Sequence, residues 1–339
     1  MADDVRMAAE IRQAPAVVAR QAEALRAPVA DLVARLSARP PRVVVTCARG
    51  SSAHAATFGK HLIERSLGIP VAAAAPAIAT VYGRRLNLEG QLFLTVSQSG
   101  RSDDLIEQAQ SAKAGGALTV ALVNAVDSPL AQACDVVLPM EAGPELSVAA
   151  TKTFIASASA LLHLAAAWSG ERAMAQALTR LPERLERACD LDWSAALPAL
   201  EHAASLVTIG RGPTLAIARE AALKLKETCN VHAEAFSSAE FMHGPVTLVG
   251  DDFPILMFTP TDAGADGMRR LAGSLREKGA SLFAANLEEG GLPSLPPDHA
   301  DADAICLVQS FYGLAVRLAA LRGIDVDQPR HLQKVTRTR

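Results

Sequence analysis

Six consecutive residues, Ser97-Gln98-Ser99-Gly100-Arg101-Ser102, set three hydroxyls, an amide and a glycine between an apolar run and a helix-like stretch. The preceding Leu92-Phe93-Leu94-Thr95-Val96 reads as a buried strand. The following Asp103-Asp104-Leu105-Ile106-Glu107-Gln108-Ala109 reads as an opening helix with acids in its first turn. Backbone N–H groups point outward from such a turn, so it holds an anionic group readily. Taken alone, the motif is a polar turn with a good N-cap. A second turn of the same kind changes the reading: Val43-Val44-Val45-Thr46 runs into Arg49-Gly50-Ser51-Ser52 and an Ala-rich helical segment. Two hydroxyl-rich turns at the carboxyl ends of parallel strands are expected to form a phosphate pocket. Its binding residues would be Ser97, Gln98, Ser99 and Ser102, with help from Ser52.

A second group of candidates could move protons. Glu220, Lys224 and Glu227 follow one another at four and three residues and share one helical stripe, with Ala218, Ala222 and Leu225 opposite. Spacing alone makes this an ordinary surface ion ladder. His243 precedes Gly244-Pro245, a rigid turn, where a lone histidine is ordinarily structural. Lys334 lies in a basic tail of the kind ordinarily left in solvent.

The elements that must position these residues follow from pattern and composition. The chain has 339 residues, half of them apolar, and a formal net charge of -3. That is room for two domains, and no single-sign block favours nucleic acid. Five scattered cysteines (Cys47, Cys134, Cys189, Cys229, Cys306) fit neither a disulfide framework nor a zinc site, and read as core residues in a reducing cytoplasm. The first residues lack an apolar signal core. The most apolar stretch, Phe154 to Trp168, is interrupted by serines and His163 and is too short to span a bilayer. It reads as a buried helix of a soluble protein.

The chain also repeats itself. Val45-Thr46 and Arg49-Gly50 correspond to Val207-Thr208 and Arg211-Gly212 at one constant offset, and each pair leads into a hydroxyl residue (Ser52, Thr214) and an Ala-rich helix. Further strands are expected at Leu118–Val123, Val136–Met140, Ile255–Thr259, Ser281–Ala285 and Ala304–Val308. The expected fold class is α/β: two tandem doubly wound parallel sheets flanked by helices, with the boundary in the charged helical segment Leu178 to Ala195.

At this point the sequence resembles the sugar isomerase (SIS) domain family. More narrowly, it is similar to the isomerase half of the glutamine–fructose-6-phosphate amidotransferases and to SIS-type aminosugar-phosphate deaminases. The resemblance is carried by Met7-Ala8-Ala9-Glu10-Ile11 with Gln13 and Pro15, Ser97-Gln98-Ser99-Gly100, Ala142-Gly143-Pro144-Glu145, and Val148-Ala149-Ala150-Thr151-Lys152. It continues through Glu220 to Glu227, His232-Ala233-Glu234, His243-Gly244-Pro245 and Asp325-Val326-Asp327-Gln328-Pro329-Arg330. Each motif is weak, but their joint order is specific. The implied organisation is a lead-in helix over 1–38, SIS domains over 39–177 and 195–324, and a tail over 325–339 that closes the active site.

The resemblance also implies roles. Glu227 carries a proton between sugar C1 and C2, Lys224 holds it ionised, and Glu220 contacts substrate. His243 opens the sugar ring and reaches in from a neighbouring subunit, which makes the implied protein a homodimer with shared active sites. Lys334 forms a Schiff base with the open-chain ketose. Two departures stand out: Met242 replaces the lysine usual in the synthases, and Ala150 replaces a serine. The chain begins almost directly with the isomerase-like segment, so glutamine hydrolysis is not expected. The expected reaction is that of an aminosugar-phosphate deaminase, glucosamine-6-phosphate plus water giving fructose-6-phosphate and ammonia. It implies no metal or redox cofactor, no nucleic acid and no membrane. A fructosamine-phosphate deglycase, an isomerising transaminase-type enzyme and a non-catalytic sugar-phosphate sensor are the alternatives.

Overall fold

The computed structural model describes residues 5–287 and 291–334, and their contacts divide them into two compact units. The first unit comprises Ala16–Glu145 and Lys152–Leu178 together with Gln333 and Lys334. The second comprises residues 5–15, Leu146–Thr151 and Thr179–Leu332. The long N-terminal helix α1 (Arg6–Ala38) therefore counts with the second unit up to Pro15 and with the first from Ala16.

In the first unit β1 (Val44–Cys47), β2 (Val71–Ala73), β3 (Leu92–Ser97), β4 (Leu118–Val123) and β5 (Val136–Pro139) form a parallel sheet in the order β2-β1-β3-β4-β5. Its helices are α2 (Gly50–Leu67), α3 (Ala77–Thr80), α4 (Asp103–Ala114), α5 (Pro129–Ala133) and α6 (Lys152–Ser169). β3 is buried along its whole length, and its near-continuous apolar sequence is what a strand covered on both faces requires. The stripe Leu105, Ala109 and Ala112 of α4 packs on Val45, Phe93 and Val123 of the sheet. Because the chain leaves β1 for β2 on one side and resumes at β3 on the other, a crevice opens between the carboxyl ends of β1 and β3. The Arg49–Ser52 and Ser97–Ser102 turns follow those two strand ends.

The expected buried helix Phe154–Trp168 is α6, and it carries a titratable group with no charge partner in its favour. Burial pushes the His163 imidazole down from its ordinary 6.5 to about 4. The folded protein thus keeps this ring neutral where the unfolded chain protonates it. Stability from this source is complete above pH 6.5 and is lost as pH falls toward 4, by at most about 3 kcal/mol. Urea midpoints measured at about pH 7.5 and about pH 5 should therefore differ more for the wild type than for His163→Leu. Identical pH dependence in the two proteins would contradict this account.

The chain passes from the first unit to the second at Leu178–Thr179, inside α7 (Arg172–Cys189). The second unit contains α8 (Leu197–Glu201), β6 (Ser205–Gly210), α9 (Thr214–Cys229), β7 (His232–Ser237), α10 (Ser238–Phe241), β8 (Pro254–Phe258), α11 (Ala265–Glu277), β9 (Ser281–Ala285) and α12 (Ala300–Leu321). Its parallel sheet runs β7-β6-β8-β9, which is the order of the first sheet without the fifth strand. The internal repeat therefore joins equivalent strands, with Thr46 on β1 and Thr208 on β6.

One expectation needs correction, and two strands were not foreseen. Ala304–Val308 is not a strand but part of α12, where every residue from Asp301 to Tyr312 is buried. A helix buried all round loses the polar face that would reveal its period, so a short apolar window within it mimics a strand. Among the described residues α12 is the one helix long and apolar enough to cross a membrane, and it is mostly buried. Strands β2 and β7 were not foreseen, β2 because it has three residues and β7 because His232 and Glu234 are polar and exposed. Of the tail expected over 325–339, residues 335–339 lie outside the described residues.

Candidate active site

In the first unit the hydroxyls of the Ser97–Ser102 turn organise its backbone. Ser97, delivered buried by β3, accepts a hydrogen bond from Gly100 N at 3.2 Å, and the Ser99 hydroxyl accepts one from Arg101 N at 3.3 Å. Gly100 has φ +60°, and a Cβ there would lie 2.1 Å from Ser128 Oγ, so both conformation and space demand glycine. Ser102 occupies the N-cap of α4 in extended geometry without making a side-chain cap bond. The N–H groups of Gly100 and Arg101 are taken up within the turn, and the start of α4 supplies the helix N-terminus that favours an anion.

The partner turn is tied to this one by charge. Arg49, at the N-cap of α2, donates through Nε and Nη2 to Asp104 Oδ2 at 3.1 and 2.9 Å. Asp104 is buried in the first turn of α4, where an uncompensated carboxylate would repel a phosphate. The Arg49 guanidinium neutralises it, a contact that the sequence reading missed. Ser52 lies half-buried on the first turn of α2, three residues beyond Arg49. Replacing Ser97 and Ser99 together with alanine should weaken sugar-phosphate binding by about tenfold or more while moving the unfolding midpoint little. Calorimetry with a sugar phosphate measures this, and unchanged affinity would remove the loop from the site.

Gln98 and Lys334 meet at a residue that the sequence reading treated only as a landmark. Glu145 is buried, and its Oε2 accepts from Gln98 Nε2 at 3.3 Å, from Thr153 Oγ1 at 2.6 Å and from Lys334 Nζ at 3.3 Å. Thr153 N donates to its Oε1 at 3.2 Å. The loop carrying Glu145 is fixed from both sides. Asn124 accepts from Ala142 N at 2.9 Å and donates to Gly143 O at 2.8 Å, and the buried Lys152 ammonium donates to Pro144 O at 2.5 Å.

In the second unit the start of the tail is also anchored. Asp327 accepts from Arg6 N and Met7 N at 2.8 and 3.0 Å, capping α1, and from Ser147 Oγ at 3.1 Å.

The Glu220, Lys224 and Glu227 stripe of α9 is not the surface ladder that spacing alone suggests. The Glu220 and Lys224 side chains are 0% and 1% exposed, and the opposite stripe of Ala218, Ala222 and Leu225 is buried as well. The Lys224 ammonium lies 3.6 Å from Glu220 Oε1 and makes a close hydrogen bond to Glu227 Oε2. Tyr312 OH, from α12, donates to Glu220 Oε1 at 3.3 Å. One ammonium thus serves two carboxylates, of which only Glu227, at 22% side-chain exposure, is partly exposed.

His243 lies elsewhere in the same unit, on an exposed turn after α10. Its Nδ1 donates to Ala239 O at 2.8 Å, which leaves Nε2 as the lone-pair nitrogen. Its hydrogen bond stays within its own turn and does not reach the α9 cluster. The flanking Met242 is 45% exposed, and Glu234, on β7, is exposed too. All five cysteines are free, and burial pushes the Cys47 and Cys306 thiols up to about 12.

Comparison with known proteins places this geometry in context. The SIS domain profile matches residues 39–167 and 199–284. The isomerizing glutamine–fructose-6-phosphate aminotransferase of Caulobacter vibrioides is 33% identical over 324 residues, covering 86% of this chain and 51% of that protein. The chain spans about half the length of the curated relatives it matches. A crystal structure from Silicibacter pomeroyi DSS-3, provisionally described as a phosphosugar isomerase, has a TM-score of 0.91 at 43% identity, covering 95% of this chain and 100% of that one. The C-terminal domain of glucosamine-fructose-6-phosphate aminotransferase from Francisella tularensis has a TM-score of 0.86 at 25% identity, covering 96% and 98%. With the doubly wound repeat and the profile match running through both sheets, the chain belongs to the SIS domain family.

Proposed function

We propose that the protein is a phosphosugar isomerase of the SIS type whose substrate is an aminosugar phosphate, glucosamine-6-phosphate, converted with water to fructose-6-phosphate and ammonia. The observation that carries the reading is the α9 cluster. Glu220 and Lys224 are buried charges on a helix whose exposed charges are Arg219 and Lys226, and their arrangement leaves one partly exposed carboxylate, Glu227, held by Lys224. Aldose–ketose chemistry needs one such base to take a proton from C2 and return it at C1. The Ser97–Ser102 turn supplies an anchor for the phosphate, and His243 Nε2 is suited to accept the ring-opening proton.

The proton shift converts the C2 amine into an imine. The Lys334 amine adds to that carbon and expels ammonia, and water then releases the ketose and restores the lysine. Met242 puts an apolar side chain where the synthases that this chain resembles carry lysine, which favours ammonia release over ammonia transfer. Purified protein incubated with glucosamine-6-phosphate, and separately with its galacto epimer, should produce ammonia and ketose phosphate in equal amounts. Absence of both products from both sugars would sink the reading.

The exposed His243 turn fits a site completed by a second copy of the chain. Mixed His243→Ala and Glu227→Gln subunits, each inactive alone, should recover roughly a quarter of wild-type activity from the sites that combine two intact residues. A fully active monomer by light scattering would exclude the shared site.

A further inference from the structure

Glu145 has no role in the proposed chemistry, yet it is among the most constrained side chains of the first unit. Its loop is fixed at Ala142, Gly143 and Pro144 by the side chains of Asn124 and Lys152. Both carboxylate oxygens are directed by Thr153, through the backbone N–H on Oε1 and the hydroxyl on Oε2. A carboxylate so held is pre-organised, and two further donors converge on its Oε2: Gln98 from the phosphate turn and Lys334 from the tail.

Of the described tail only Gln333 and Lys334 count with the first unit, and the Lys334–Glu145 ion pair is a contact that ties the lysine to it. A long flexible amine pays side-chain entropy wherever it is fixed. A buried carboxylate aimed at it, with its own geometry already set by other bonds, meets that cost through a charge-assisted contact. Such a partner decides where the ammonium sits before it reacts.

We infer that Glu145 is the positioning residue for Lys334: it docks the C-terminal lysine beside Gln98 of the phosphate turn and so sets the place from which the amine meets the imine carbon of a bound sugar. This rests on the proposed role of Lys334 for its consequence in catalysis, but not for the docking itself. Nothing is required of Glu145 toward the sugar.

The two layers separate experimentally. Without substrate, trypsin cleavage after the exposed Arg330 reports release of the tail, read as the mass of the freed C-terminal peptide. Glu145→Gln and Lys334→Met should each raise the cleavage rate about tenfold, and the double variant should be no faster than either single one. Wild-type cleavage in Glu145→Gln, or multiplicative effects in the double variant, would overturn the docking. With glucosamine-6-phosphate present, borohydride reduces the imine between Lys334 Nζ and the sugar to a stable amine, ammonia having left when the imine formed. That adduct should form about tenfold or more slowly in Glu145→Gln, with sugar-phosphate affinity kept. Equal trapping rates in variant and wild type would overturn the positioning role. Absence of any adduct in the wild type, with docking intact, would instead fail the proposed chemistry. Should Glu145→Gln not fold, Glu145→Asp keeps the charge and withdraws it by one methylene. It should show smaller changes in the same direction in both readouts, and wild-type rates in both would count against the inference.

Discussion

Glu227→Gln protein should bind sugar phosphate and then fail to exchange the C2 hydrogen with solvent deuterium, the rate falling by about 10²–10⁴-fold. The amide keeps the size of the carboxylate and can still accept from Lys224, so the cluster stays assembled. What is lost is the ability to hold a proton between two carbons. Because Glu227 is the outward member of the cluster, at 22% side-chain exposure, its neutralisation should cost little stability. The expected signature is therefore a collapse of exchange with affinity and unfolding midpoint nearly unchanged. Deuterium exchange at the wild-type rate would remove Glu227 as the base, and Glu234, exposed on β7, would be the next carboxylate to test.

Legibility in the sequence followed burial. β3 and β4 were readable because parallel strands covered on both faces are apolar throughout, and α4 because acids follow a polar turn at its start. The repeat predicted two similar sheets, and the matching strand orders carry that further than the few shared residues could. α12 was misread over Ala304–Val308 because its burial erased its period. That error hid Tyr312, four residues on, and with it the hydrogen bond that reaches Glu220.

The spacing of the candidate residues was legible where their surroundings were not. Spacing put Glu220, Lys224 and Glu227 on one stripe, but the same spacing serves a solvated ladder and a buried cluster alike. The distinguishing signal lay elsewhere on α9, where Arg219 and Lys226 already supply an exposed face and Ala216, Ile217, Ala221 and Cys229 are buried. Glu145 offered less. It stands in an irregular loop with no period, and its partners Gln98, Thr153 and Lys334 are close only after folding. Arg49 and Asp104 likewise belong to different strand-to-helix turns, and nothing in their spacing reveals that one neutralises the other.

Lys224→Met should be the most destabilising single change in the α9 cluster, by about 3–5 kcal/mol. The lysine side chain is 1% exposed and Glu220 beside it 0%, so water cannot replace the lost ammonium. Tyr312 supplies one hydrogen bond to Glu220, which satisfies an oxygen but does not offset a buried charge. Methionine fills much of the lysine's volume, so the loss is electrostatic rather than a cavity. That attribution has its own test. Adding Glu220→Gln removes the stranded charge while keeping an acceptor for Tyr312, and the double variant should regain at least half of the lost stability. It should regain no deuterium exchange, since Glu227 would still lack the ammonium that holds it. Chemical unfolding of the four proteins closes the cycle. If Lys224→Met unfolds within about 1 kcal/mol of the wild type, the cluster is better hydrated than its burial indicates, and its charges then stabilise one another no more than a surface ion ladder would.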